Sequence, residues 1–117
     1  MRKPCLYLLL GKSLMKINFV LDYVTFEFED YSLDSLSLPK ILSGDKVLSE
    51  NQECQNGLQD LVGLSVSNIS ESDQELRVEL SNGKTIVITN SGIPLGREFA
   101  VLSGQGNFFG SWISEQN

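Results

Sequence analysis

Alternation of apolar and polar residues at a period of two is the feature that most constrains this chain. Residues 75–80 (ELRVEL) alternate in this way, residues 85–89 (TIVIT) carry Ile86 and Ile88 at the same spacing, and Asn82-Gly83 lies between the two segments. Successive side chains of a strand point to opposite faces of a sheet, so the pattern is typical of half-buried strands. An Asn-Gly step between two such strands is the strongest short hairpin signal, because both turn positions accept a positive φ. The sequence therefore predicts a β-hairpin that pairs 75–80 with 85–89.

The first half of the chain carries a similar pattern. VTFEFED at 24–30 and LRVELSN at 76–82 share the order apolar, polar, apolar, Glu, apolar, polar, turn former. Each segment follows another β-like stretch, and two related meanders that pack face to face would bury both apolar sets. One interpretation is a duplicated half, and the other is that two amphipathic strands align by chance.

These patterns predict a mainly β domain, all-β to α+β, built as an antiparallel meander sandwich or open barrel of about six to eight strands. At most one short helix is expected, near residues 58–62. The turn-rich stretch 39–57 is expected to hold a short edge element or to contact a partner. The predicted core consists of apolar residues from the strands: Phe19, Val24, Phe26, Phe28, Val66, Leu76, Val78, Leu80, Ile86 and Ile88.

The start of the chain differs from the rest in charge. The first sixteen residues carry four cations and no acid, whereas the remainder holds five cations against fifteen acids. The apolar run at 5–10 is shorter than the roughly 7–15 residues of a signal-peptide core, and no run reaches the roughly 18 residues of a membrane helix. We interpret 1–14 as a leader and Met15 as the natural start of a single cytoplasmic domain, 15–117. An extra edge strand at 6–10 and a secretion signal are the alternatives.

Composition argues against most kinds of catalytic chemistry. The chain has no histidine, the commonest general base and metal ligand, and its two cysteines cannot form a four-thiolate zinc site. Its formal charge is −6, whereas nucleic-acid binding needs clustered cations. The chain is therefore expected to be no enzyme, to hold no cofactor or metal, and to bind neither nucleic acid nor a membrane. Cys5 and Cys54 are expected to remain reduced.

Carboxylates are the only potentially catalytic side chains that the chain has in number, and their positions favour solvent-facing or turn-forming roles. Glu27 and Glu29 share a strand face that should point to water, which does not suit a desolvated catalytic acid. Asp22, Asp30 and Asp34 lack the regular spacing of a calcium loop, so turn formation explains them better.

Taken as a whole, residues 15–117 resemble the small acidic β-rich orphan proteins of bacteria, many of which act as immunity proteins that neutralise a toxin from a neighbouring gene. The resemblance rests on size, acidity, missing catalytic groups and the hairpin LRVELSNGKTIVI. It implies a non-enzymatic protein-binding module whose partner is a cationic protein such as a basic toxin. The alternative is a structural or assembly protein that forms a homo-oligomer through its sheet edges, which leaves a homodimer open.

The partner-binding side chains are expected on the acidic strand faces and at the aromatic C-terminus. Rigid strands hold charges in place, so less side-chain entropy is lost on binding, and an acidic surface speeds association with a cationic partner. At a period of two, Phe109 and Trp112 lie on opposite faces, so at least one large apolar group is left near the surface as an anchor. The predicted residues are Glu27, Glu29, Asp30, Glu71, Asp73, Glu75, Glu79, Phe109 and Trp112.

Overall fold

A computed structural model of the protein describes residues 5–20, 23–43, 46–49 and 59–114. Its described part contains a 3₁₀ turn, Leu6–Leu9, followed by ten strands. The strands are β1 (Leu14–Val20), β2 (Tyr23–Phe28), β3 (Ser32–Ser35), β4 (Lys40–Ser43), β5 (Lys46–Ser49), β6 (Val66–Glu71), β7 (Glu75–Leu80), β8 (Lys84–Thr89), β9 (Glu98–Gly104) and β10 (Asn107–Ile113). The mainly β prediction is confirmed. The strands outnumber the six to eight expected, because β3, β4 and β5 are only four residues long and give a short sequence signal.

The strands form two antiparallel five-stranded sheets, which do not close into a barrel. Sheet 1 has the order β1-β2-β3-β9-β10, and sheet 2 has the order β5-β4-β8-β7-β6. Each sheet therefore combines a meander from one half of the chain with a hairpin from the other half. The two sheets are joined at one side by a bridge between Ser13 and Ser65. The edge element predicted within 39–57 is confirmed as β5, which pairs with β4.

The hairpin predicted from Asn-Gly is confirmed, but its turn differs from the two-residue form. β7 pairs with β8 from Glu75 opposite Thr89 to Glu79 opposite Thr85. Gly83 has a φ of 88°, whereas Asn82 is not in the left-handed region. The loop 81–83 therefore has three residues, with glycine at the left-handed position that follows a tight turn. The helical turn predicted near 58–62 lies partly outside the described residues, and 60–63 form turns.

The core lies between the sheets and matches the predicted set closely. Nine of the ten predicted residues are buried, and Phe19 is half-buried against them. Sequence reasoning missed several fully buried side chains. Some lie in turns or in four-residue strands, and others lie in the seven-residue strands β1, β9 and β10, where the alternation is interrupted. The missed side chains are Leu6, Leu9, Leu14, Leu33, Ile41, Leu61, Phe99, Ala100, Leu102 and Trp112.

Residues 5–14, interpreted above as part of a leader, contribute directly to this core. Leu6, Leu9 and Leu14 have no exposed surface. Leu6–Leu9 form a 3₁₀ turn, so the alternative of an edge strand at 6–10 is wrong. Translation from Met15 stays a prediction, but a chain starting there would lack buried side chains of this fold.

Substitution of one central residue in each sheet tests the assigned packing. Phe26 and Val78 are completely buried on β2 and β7. Phe26→Ala and Val78→Ala should each lower the free energy of unfolding by about 2–4 kcal/mol, through lost apolar burial and the cavity left behind. Urea unfolding followed by circular dichroism measures this. A loss below about 0.5 kcal/mol in both variants, typical of surface positions, would contradict the register.

Candidate functional site

The two turns at one end of sheet 1 lie against each other. β3 pairs with β9, so the β2–β3 turn meets the β9–β10 turn. Among the described residues, Asp30 (φ 68°) and Gln105 (φ 52°) are the non-glycine residues with a positive φ, and Gln105 Nε2 donates to Asp30 Oδ1 at 3.4 Å. A Cβ on Gly104 would lie 2.2 Å from the Asp30 carbonyl oxygen. Glycine at 104 thus permits the close approach that joins the turns.

Lys12 packs onto the same turns. Its Nζ donates to Asp30 Oδ2 at 3.0 Å and lies 5.8 Å from the centroid of the Tyr31 ring. The hydrogen bond and the negative charge of Asp30 raise the pKa of Lys12 above its ordinary value, so Lys12 is charged at neutral pH. The cationic start of the chain therefore partly neutralises the acidic turn.

Exposed aromatic rings adjoin this turn pair. Phe108 is 65% exposed and Phe109 is 40% exposed, and the Phe109 ring meets Tyr31 edge-to-face with centroids 5.4 Å apart. Exposed large apolar groups can anchor a partner surface. The prediction of an exposed apolar group at Phe109 is thus matched by the geometry, and Phe108 adds a second ring.

Trp112 does not belong to this exposed surface, contrary to the prediction. Its side chain is fully buried, and its Nε1 donates to Glu71 Oε1 at 2.9 Å. A bulge between Phe108 and Gly110 shifts the alternation of β10, so Trp112 turns inward opposite Ala100.

Glu71 also has a different environment from the one predicted. Its Oε2 accepts a hydrogen bond from the backbone N–H of Leu6 at 3.3 Å, while Oε1 accepts the indole proton of Trp112. A bulge between Val66 and Asn68 places Glu71 opposite the buried Leu76. The carboxylate thus binds the 3₁₀ turn through one oxygen and the last strand through the other.

Glu27, Glu29 and Asp30 are brought together at one end of sheet 1. Glu27 lies opposite Lys16 in the β1–β2 ladder and accepts a hydrogen bond from Asn18 Nδ2. Glu29 is exposed, and its Oε1 accepts a hydrogen bond from the backbone N–H of Ser13 at 3.0 Å. Together with Phe108 and Phe109, these three acids form what we call the acidic corner.

The predicted acids of the second meander lie elsewhere. Glu75 pairs with Arg77 on β7, Glu79 lies opposite Thr85, and Asp73 is exposed between β6 and β7. Because the two sheets pack face to face, the outer surface of β7 points away from the acidic corner. One flat partner surface cannot contact both sets.

The surroundings of the acidic corner are open. A shallow depression of about 450 Å³ adjoins it, with Ser32, Gln105 and Phe108 among its lining residues. Within the described ranges, no three cysteine or carboxylate side chains gather as a metal site. Asp34 accepts a hydrogen bond from Thr25 Oγ1 at 2.8 Å, while Asp22 and Cys54 lie outside the described residues.

Comparison of the chain with protein-family models, with curated proteins and with solved structures found no match. Among the residues that the structure describes, no helix has the length and hydropathy needed to cross a membrane.

Sequence reasoning missed Lys12, Tyr31, Gln105 and Phe108 as neighbours of the candidate acids. Lys12 was visible as a cation and Phe108 as an aromatic residue. Their contacts with the β2–β3 turn depend on β3 pairing with β9, across more than sixty residues of chain. No local sequence pattern predicts a pairing between strands so far apart in the chain.

Proposed function

We propose that the protein is a non-enzymatic binding module that acts as a bacterial immunity protein or similar inhibitor, and that it neutralises a basic toxin in the cytoplasm. The observation that carries the proposal is the acidic corner, where the exposed Phe108 and Phe109 lie on a hairpin that packs beside the β2–β3 turn and its carboxylates. Aromatic anchors supply binding energy once desolvated, whereas fixed carboxylates steer a cationic partner and set its orientation.

The rigidity of the acidic corner supports this role. Glu27 accepts a hydrogen bond from Asn18, Glu29 from the Ser13 backbone, and Asp30 from both Lys12 and Gln105. These contacts restrict the carboxylates before a partner arrives. A surface that is already ordered loses less conformational entropy on binding.

The salt dependence of association tests the proposal. With a purified basic toxin encoded beside the gene, the association rate of the full chain should fall roughly tenfold from low to high salt, because ions screen steering between exposed charges. The dissociation rate should change little. Stopped-flow mixing measures both rates. Coexpression should also restore growth to cells that make the toxin. A toxin that neither binds nor is neutralised would overturn the proposal.

A second candidate function, assembly through sheet edges, is favoured by one observation. β10 is the last strand of sheet 1, and it carries the exposed side chains of Phe108 and Ile113. An unpaired edge strand with apolar side chains can pair with a second copy of the chain. Sedimentation velocity at low and high salt separates the two functions, because a dimer that salt does not dissociate favours assembly and a monomer favours partner binding.

A further inference from the structure

The two halves of the chain repeat one five-stranded unit. Leu14 of β1 corresponds to Val66 of β6, and Tyr23 of β2 corresponds to Glu75 of β7, a shift of 52 residues in both pairs. The bulges repeat at the same shift, after Leu14 in one half and after Val66 in the other. In each half a three-strand meander stays in one sheet and the following hairpin crosses to the other sheet.

Hydrogen bonds between the halves are reciprocal. The backbone N–H of Gly11 donates to the Val66 carbonyl at 2.9 Å, and that of Gly63 donates to the Leu14 carbonyl at 2.7 Å. Both glycines have a positive φ, of 79° and 98°. Each contact is thus made twice, once in each direction, as expected around a two-fold axis.

The axis passes near the bridge between Ser13 and Ser65, residues that correspond to each other. The Ser13 carbonyl accepts a hydrogen bond from the Glu29 backbone at 3.1 Å, and the Ser65 carbonyl accepts one from the Ser81 backbone at 2.9 Å. The correspondence between the two halves therefore extends to the turn that follows the second strand of each unit.

The exchanged hairpins correspond as well. The bulge residue of β5 is Leu48, and the bulge residue of β10 is Phe109, each skipped by the ladder at the same place. In the β4–β5 ladder, Ser43 pairs with Lys46, Leu42 with Val47 and Ile41 with Ser49. In the β9–β10 ladder, the equivalent pairs are Gly104 with Asn107, Ser103 with Phe108 and Leu102 with Gly110. The repeat consequently brings an equivalent strand pair to the end of each sheet.

The halves agree where they build the fold and differ around the acidic corner. Interior and axial positions keep their residue type in these pairs: Leu9 and Leu61, Gly11 and Gly63, Ser13 and Ser65, Ile17 and Ile69. At the corner, Lys12 corresponds to Leu64, Glu29 to Ser81 and Asp30 to Asn82. The ion pair and the acidic turn thus exist in one copy only.

Charge separates the two sheets in the same way. The strands of sheet 1 and the β2–β3 turn, together with Lys12 that binds this turn, carry two cations against five acids, which are Lys12 and Lys16 against Glu27, Glu29, Asp30, Asp34 and Glu98. In sheet 2, strands β4, β6, β7 and β8 with the β6–β7 and β7–β8 turns carry three cations against four acids, which are Lys40, Arg77 and Lys84 against Glu71, Asp73, Glu75 and Glu79. Sheet 1 therefore attracts a cationic surface more strongly than sheet 2 does.

We infer that, of the two sheet ends that the repeat relates, only the acidic corner on sheet 1 binds the partner, a cationic protein surface held one-to-one. This inference rests on the proposed function and assigns that function to one side of the molecule. It excludes from the interface the acids of β7, which sequence reasoning had included.

The repeat supplies a matched pair of variants for the test. Glu27 and Glu79 are the same residue at corresponding positions, and both are half-buried on the outer side of a second strand. Glu27→Lys should slow association with the purified toxin by about three- to tenfold at low salt, and Glu79→Lys should leave the rate within about twofold of wild type. Thermal melts of both variants verify that each is folded.

The exposed ring gives an independent readout. Phe108→Ser should raise the dissociation rate at least tenfold if Phe108 is an anchor, without changing the melting temperature of the isolated protein. Equal slowing of association by Glu27→Lys and Glu79→Lys, slowing by Glu79→Lys alone, or a complex with two toxins per chain would overturn the inference. Failure of the wild-type chain to bind any basic toxin would instead overturn the proposed function.

Discussion

A chain that begins at Met15 should be unfolded, or far less stable, under conditions in which the full chain is folded. Leu6, Leu9 and Leu14 have no exposed surface, so their removal opens the core between the sheets. Burial of a leucine side chain contributes about 1.5–3 kcal/mol, so the three together account for about 4–9 kcal/mol. That is comparable with the whole stability of a small domain, about 5–15 kcal/mol.

Urea unfolding followed by Trp112 fluorescence measures this loss, since Trp112 is the single tryptophan and is fully buried. The matched controls are Leu9→Ala and Leu61→Ala, at corresponding positions of the two halves. Each should cost about 2–5 kcal/mol, because each removes a completely buried side chain. If the shortened chain unfolds at the same urea concentration as the full chain, residues 5–14 add nothing to the fold and the leader interpretation is favoured.

The sequence was most informative where strands have one buried face. β2 and β7 alternate strictly, so their existence, their inward residues and the β7–β8 pairing could all be predicted. The weak similarity between 24–30 and 76–82 also indicated a repeat, which the topology extends to all ten strands. The inward face of β8 was harder to predict, because Ile86, Val87 and Ile88 are all buried.

Bulges explain why two predicted site residues, Trp112 and Glu71, point inward. A bulge inserts a residue into one strand and reverses which later side chains point inward. The bulge after Phe108 turns Trp112 into the core, and the bulge after Val66 turns Glu71 toward Leu76 and Trp112. Period-two reasoning assumes an unbroken strand, so it left open which of Phe109 and Trp112 faces inward, and it gave no sign that Glu71 does.

The acidic corner could be predicted only in part. Glu27, Glu29 and Asp30 are near in sequence, and the strand pattern placed them at one strand end. Their neighbours Gln105, Phe108 and Phe109 reach them because β3 pairs with a hairpin from the other half. That exchange depends on long-range packing and leaves no local signal.

Removal of the Trp112 side chain should be among the most damaging single substitutions in this protein. Trp112 is the largest of the fully buried side chains. Trp112→Ala should lower the free energy of unfolding by about 3–5 kcal/mol, because it leaves a large cavity and removes a hydrogen bond to Glu71. Circular dichroism must follow the unfolding, because the variant has no tryptophan.

Two further variants divide that loss between packing and hydrogen bonding. Trp112→Phe keeps most of the apolar volume but leaves Glu71 Oε1 without the indole donor, so it should cost about 1–3 kcal/mol. Phe108→Ala, on the same strand but 65% exposed, should change stability by no more than about 0.5 kcal/mol. The ordering Trp112→Ala, then Trp112→Phe, then Phe108→Ala follows from the bulge that turns these aromatic residues to opposite sides. Equal losses for Trp112→Ala and Phe108→Ala would mean that the bulge is absent in solution, and the exposed rings of the acidic corner would then have to be reassigned.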